Sequence, residues 1–196
     1  MYTVHALSRL IEHNKELAYL VIFLVTIIEG EIIAISAGIL ILLGALNFWI
    51  CFLLIFFGGM TKTFLGYSLG GFLRNKFENS KFFQYIEKKV FSIMPRFNQK
   101  PFWSIFISKF IIGLNHLVIV FSGYQKINFK TYLRAELLST VLWVPFMLSL
   151  GYFFSYAALH VSRRISEFSL VIIIFIILFF LLDKLISLLY DVFENT

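Results

Sequence analysis

Six polar side chains stand in sequence that is otherwise apolar: Glu29, Glu31, Lys62, Lys109, Asn115 and His116. Carboxylates, amines, an amide and an imidazole together can exchange protons and hold an anion such as a phosphate. In hydrocarbon each charge costs on the order of 3 kcal/mol by insertion scales. Such groups persist where irregular backbone is enclosed by protein or lines a wet cavity. Glu29 and Glu31 flank Gly30 after an apolar run of about 12 residues, short of the roughly 20 needed to cross. Residues 17–45 therefore read as a broken, re-entrant hairpin. The alternative is two short helices with both carboxylates among the headgroups. Lys62 either snorkels to an interface or pairs with Glu29 or Glu31.

The elements that must position these groups follow from charge and length. Residues 102–121 carry Lys109, Asn115 and His116, with basic clusters on both flanks: seven Lys and Arg between Arg74 and Lys100, then Lys126, Lys130 and Arg134. Basic flanks face the cytoplasm, so a segment with both flanks inside must enter and return as a second re-entrant hairpin. Residues 48–73 and 137–160 are long enough to cross, and Pro145 is expected to kink the second. Arg163-Arg164 then falls on the outer side, against the charge rule. Residues 165–190 form an added C-terminal transmembrane helix. Two amphipathic helices are expected at the bilayer surface. One covers 3–16; the other, with Phe82, Phe83, Ile86, Val90, Ile93 and Met94 on one face, lies within 74–100 and ends before Pro95.

Composition sets the class. The chain of 196 residues is 60% hydrophobic and 14% charged, more apolar surface than a soluble domain of this size can hide. A single multi-pass membrane domain, 1–196, is expected, entering through its own uncleaved segments. The net charge of +6 speaks of orientation and anionic headgroups rather than nucleic acid. Cys51 is the single cysteine. It has no disulfide partner, and no metal site, cofactor or catalytic residue is expected.

An internal echo orders the whole. Ala37-Gly38 precedes Gly66-Tyr67 by 28 residues, and Ser122-Gly123 precedes Gly151-Tyr152 by the same 28. Gly66 and Gly70 have the small-xxx-small spacing that lets helices approach closely in lipid. The expected fold is an all-α membrane protein of two repeats, 17–73 and 101–158, joined by the basic cytoplasmic segment 74–100. Each repeat holds one re-entrant hairpin and one crossing helix. An odd number of crossings makes the repeats inverted, a transporter architecture with polar groups meeting near the midplane.

These residues resemble the DedA family of bacterial inner-membrane proteins, whose VTT domain is shared with eukaryotic lipid scramblases. The family run Gly-Arg-Phe-x-Pro-Gly-x-Arg, then Ala-Gly, Phe, Trp and Gly-Tyr, is similar to the stretch from Ser108-Lys109-Phe110 through Gly113 and Asn115. Ser122-Gly123, Phe129, Trp143 and Gly151-Tyr152 continue it. Gly30-Glu31 stands in the register of the family's first-half motif, and Lys62-Thr63 with Gly66-Tyr67 in that of Gly-Asp-x-x-Gly-Tyr. The resemblance covers roughly 17–157. It implies lipid movement across the bilayer, with undecaprenyl phosphate as cargo of many bacterial members and coupling to protons. By it, Glu31 takes the membrane carboxylate role and Lys109 that of the first arginine. The second arginine is Asn115 here, the loop prolines are Glu29 and Ile112, and the acid is Thr63. Lys lacks the bidentate fork of Arg, and Asn brings no charge.

The expected function is a DedA-like lipid flippase or scramblase, non-enzymatic, in the bacterial inner membrane. Its partners are lipids with anionic or isoprenoid phosphate headgroups, and protons. Lys109, Asn115 and backbone N–H groups would meet the phosphate. Gly38, Gly66, Tyr67, Gly113, Gly123 and Gly151 are its structural motif. A proton- or cation-coupled small-solute transporter on the same scaffold is the alternative. A lipid phosphatase would need a base beside Ser108, and His116 has no orienting carboxylate near it in sequence.

Overall fold

The computed structural model describes residues 14–76, 81–111 and 113–161. The expected surface helix at 3–16 falls almost wholly, and the C-terminal helix at 165–190 entirely, outside them. Seven helices and no strand occur among the described residues. They are α1 (Lys15–Ile28), α2 (Gly30–Leu42), α3 (Phe48–Lys76), α4 (Lys81–Ile93), α5 (Pro101–Ser108), α6 (Leu114–Tyr124) and α7 (Phe129–Val161).

Two stretches are long and apolar enough to cross a membrane, Phe48–Arg74 in α3 and Phe129–Tyr156 in α7. The others are too short to do so alone: α1, of 14 residues, is about 21 Å long against a hydrocarbon core of about 30 Å. Helix α7 begins at Phe129, eight residues before the expected start of the crossing, and continues through Pro145.

The chain divides into two compact units. Among the described residues, the first holds 14–59 and 144–161. Here α1 and α2 pack as a pair, broken at Glu29, whose backbone is extended (φ −135°, ψ 93°). Helix α2 lies against the end of α7 at backbone distance. A Cβ on Gly38 would meet the Leu148 carbonyl oxygen and the Tyr152 nitrogen; one on Gly151 would meet the Ile35 carbonyl oxygen.

The second unit holds 60–76, 81–111 and 113–143. Its core joins Ile86, Val90, Met94, Phe97, Phe121 and Tyr132. Ile86 and Val90 of α4, and Met94 just after it, are thus buried against protein, with α6 as the neighbouring helix, while Ile93 is exposed. Lys88, Lys89 and Tyr85 stay exposed. Helix α6 lies against α3 as α2 lies against α7. A Cβ on Gly123 would meet the Tyr67 carbonyl oxygen, and one on Gly70 the Val120 carbonyl oxygen.

Each small-Gly pair of one sequence half therefore packs against the Gly-Tyr helix of the other half. Small residues serve here to bring backbones together, which supports association where no hydrophobic effect acts between helices.

The joints before the two long helices are built alike. After α2, Gly44 is left-handed (φ 76°), with Gly44 N–H donating to the Ile41 carbonyl and Ala45 N–H to the Leu40 carbonyl. After α6, Lys126 takes the same region (φ 55°), with its N–H donating to the Gly123 carbonyl and Ile127 N–H to the Ser122 carbonyl. These are left-handed helix ends that satisfy carbonyls otherwise left bare. An asparagine then starts each long helix. Asn47 Oδ1 accepts from Trp49 N–H at 2.9 Å, and Asn128 Oδ1 from Lys130 N–H at 3.0 Å.

Candidate functional site: a buried ion pair on α5 and α7

The second unit places a lysine and a glutamate inside its apolar interior. Helix α5 opens with Pro101 at its first turn, where the missing N–H costs nothing, and ends at Ser108. Lys109 caps it in helical conformation (φ −66°, ψ −25°). The chain then turns into α6 through Gly113, which is left-handed (φ 74°) and has open space where a Cβ would stand. Gly113 is needed for its backbone angle, not for room. Ile112 lies outside the described residues.

This turn leaves Lys109 only 7% exposed, with Nζ donating to Glu136 Oε2 at 2.6 Å. Glu136, on α7, is wholly buried. The same Oε2 accepts from Thr63 Oγ1 at 3.0 Å. Tyr132, one turn earlier on α7, donates from its hydroxyl to the Thr63 carbonyl at 3.0 Å and fixes α7 against α3 at this level. Ser139 and Thr140 hydroxyls both donate back to the Glu136 carbonyl. Glu136 thus has its backbone and one carboxylate oxygen fully engaged. Its other oxygen, Oε1, is buried with no hydrogen-bond partner. Asn115 Oδ1 and Trp143 Nε1 are likewise buried and unpartnered.

Among the residues expected from sequence, Lys62, Lys109, Asn115 and His116 belong to the second unit, and Glu29 and Glu31 to the first. Lys62 Nζ stands 3.4 Å from His116 Nε2, which accepts if the ring carries its proton on Nδ1. Asn115, the second residue of α6, is buried. Glu29 separates α1 from α2, and Glu31 lies in the first turn of α2, where a negative charge suits the helix N-terminus. Both are half-buried. Gly38, Gly123 and Gly151 make the backbone contacts already described, Gly66 faces Ile119, and the Tyr67 hydroxyl donates to the Ile127 carbonyl at 2.6 Å.

Sequence reading missed Glu136. It directly follows the cluster Lys126, Lys130, Arg134, and starting the crossing at 137 left it with the cytoplasmic charges. The signal was the asparagine cap at 128: a helix begun there carries Glu136 two turns inside. Thr63, noted for replacing an acid, turns out to donate to one. Among the described residues no group of three or more His, Cys, Asp or Glu is placed to hold a metal.

A buried ammonium and carboxylate in one hydrogen-bonded pair present no net charge, yet each becomes a strong local charge once its partner is drawn away. The arrangement can exchange an internal ion pair for contacts to a polar group that enters. Comparison with curated proteins and with solved structures returned no match. A family model, the VTT domain, matches residues 27–153, from the end of α1 to the Gly-Tyr region of α7. The chain belongs to the VTT-domain family, and is a membrane protein of DedA type.

Proposed function

We propose that this protein moves lipid headgroups across a bacterial inner membrane as a flippase or scramblase. The observation that carries the reading is the Lys109–Glu136 pair, buried among apolar helices of a VTT domain. A buried ion pair is weak evidence of stability, because well-packed apolar residues do as well or better in its place. Its use is then polar contact at depth. Lys109 offers the ammonium to a headgroup phosphate, with Asn115 beside the turn. The short pairs α1–α2 and α5–α6 enter and leave the bilayer as re-entrant hairpins, and α3 and α7 cross it. Glu31 supplies a carboxylate that takes a proton as cargo moves. The chain is a transporter rather than an enzyme.

The test is translocation of acyl-chain-labelled phospholipid in proteoliposomes. Wild type is expected to move lipid between leaflets, Lys109→Ala to lose at least tenfold in rate, and Glu31→Gln to lose coupling to a proton gradient. Vesicles that take up a small solute while their lipids stay in place would replace this reading with solute transport.

A further inference from the structure

We infer that the outward face of α4 and the α6–α7 joint form one basic docking surface for the anionic headgroups of a leaflet. The inference rests on α3 and α7 crossing the bilayer, not on lipid transport. Its first ground is where those helices end. Thr63 of α3 bonds Glu136 of α7, and one turn further along α3 the Tyr67 hydroxyl donates to the Ile127 carbonyl, so the two run antiparallel. Where the apolar stretch of α3 stops, Arg74 donates from Nη1 to the Tyr124 carbonyl at 2.9 Å, just before α7 sets out at Phe129. This end of the second unit therefore stands at the level of the headgroups.

The second ground is charge. Gln125, in the joint, donates from Nε2 to Glu87 Oε1 at 3.5 Å, which sets α4 beside the joint and turns the acid of that helix toward protein. Ile86 and Val90 are packed in the core, so α4 has no apolar face left to lay on lipid. It presents Tyr85, Lys88 and Lys89 outward, and Lys126 and Lys130 are exposed at the joint and the start of α7. Glu87 is half-buried and Glu136 wholly buried, so no acid is exposed among the described residues of this unit. Four exposed ammonium groups with no exposed acid fit a negatively charged surface. Tyr85 and Phe129, both exposed, are rings of the kind that settle among headgroups. An acidic protein offers the same charge, but a face at the end of two crossing helices is already held against a leaflet.

The experiment puts a thiol-linked fluorophore on the outward face of α4 through Ser92→Cys; Ser92 is exposed, whereas the native Cys51 is wholly buried. The labelled full-length protein is reconstituted in mixed vesicles of phosphatidylcholine and phosphatidylglycerol. A nitroxide quencher near the headgroup is carried by one lipid or the other. Half-maximal quenching is expected at a mole fraction about fivefold or more lower for the phosphatidylglycerol quencher, since one lysine near an anionic surface is worth about that factor. Adding Lys88→Gln, Lys89→Gln and Lys126→Gln should bring the two curves together. So should about 1 M salt, which needs no further substitution and keeps the test sound if the variant misfolds. Coincident curves with all the lysines present overturn the inference, as does a preference that survives both treatments. Quenching by neither lipid also overturns it, and leaves an acidic protein as the partner to seek. None of these outcomes bears on translocation at Lys109, which has its own assay.

Discussion

Lys109 and Glu136 meet at 2.6 Å across 27 positions of sequence, and neither has another oppositely charged partner among the described residues. Removing one member strands the other. Lys109→Met or Glu136→Leu alone is expected to cost about 3–5 kcal/mol, and the double variant less than either single. Unfolding of detergent-solubilised protein checks this; single costs that simply add would mean the two charges are not coupled.

Thr63 contributes a hydroxyl to the same carboxylate oxygen. Thr63→Val keeps the shape and removes the donor, so a loss of about 1–2 kcal/mol is expected, with Thr63→Ser recovering most of it. Equal stability of Val and Ser variants would show that the hydroxyl is idle.

Neighbouring glycines should behave very differently. A Cβ on Gly70 runs into the backbone of Val120, whereas one on Gly71 meets only the Gly123 carbonyl oxygen at an ordinary 3.8 Å. Gly70→Ala is expected to cost about 1–3 kcal/mol or more, since backbone cannot step aside as a side chain can. Gly71→Ala should be close to neutral. Thermal stability of the two purified variants separates them in one measurement.

Two left-handed residues of the second unit, Lys126 and Gly113, predict opposite outcomes. Lys126 is the one non-glycine residue with positive φ among the described residues, and Lys126→Gly should stabilise by about 1 kcal/mol. Gly113→Ala has room for its methyl but not the backbone angle, and should destabilise by about 1 kcal/mol. Chemical denaturation midpoints give both signs.

Trp143 sits in the family motif, yet its buried indole N–H has no partner. Trp143→Phe therefore removes an unsatisfied donor and is expected to change stability by less than about 1 kcal/mol. A much larger loss would reveal a partner that forms only in the membrane.

Much of this was already readable along the chain. Composition set the membrane class, Glu29-Gly30 marked the first break, and the glycine pairs marked close approach, because each follows from a residue's own chemistry or from spacing along one helix. Gly70 and Gly123 could be named without a structure; the carbonyls they rest on could not. Sequence order gave the 28-residue spacing of the echo, and folding set Gly38 against Gly151 and Gly123 against Tyr67. It likewise turned the Ile86–Val90 face of α4 onto protein, where spacing alone admitted lipid. Glu136 shows the same division most plainly. Its identity is local, but whether it ends among cytoplasmic charges or beneath Lys109 depends on where α7 begins and what α5 brings to it. Periodicity records which faces are covered; only packing in three dimensions chooses the partner, because that choice is made by distant residues that share no register in the chain.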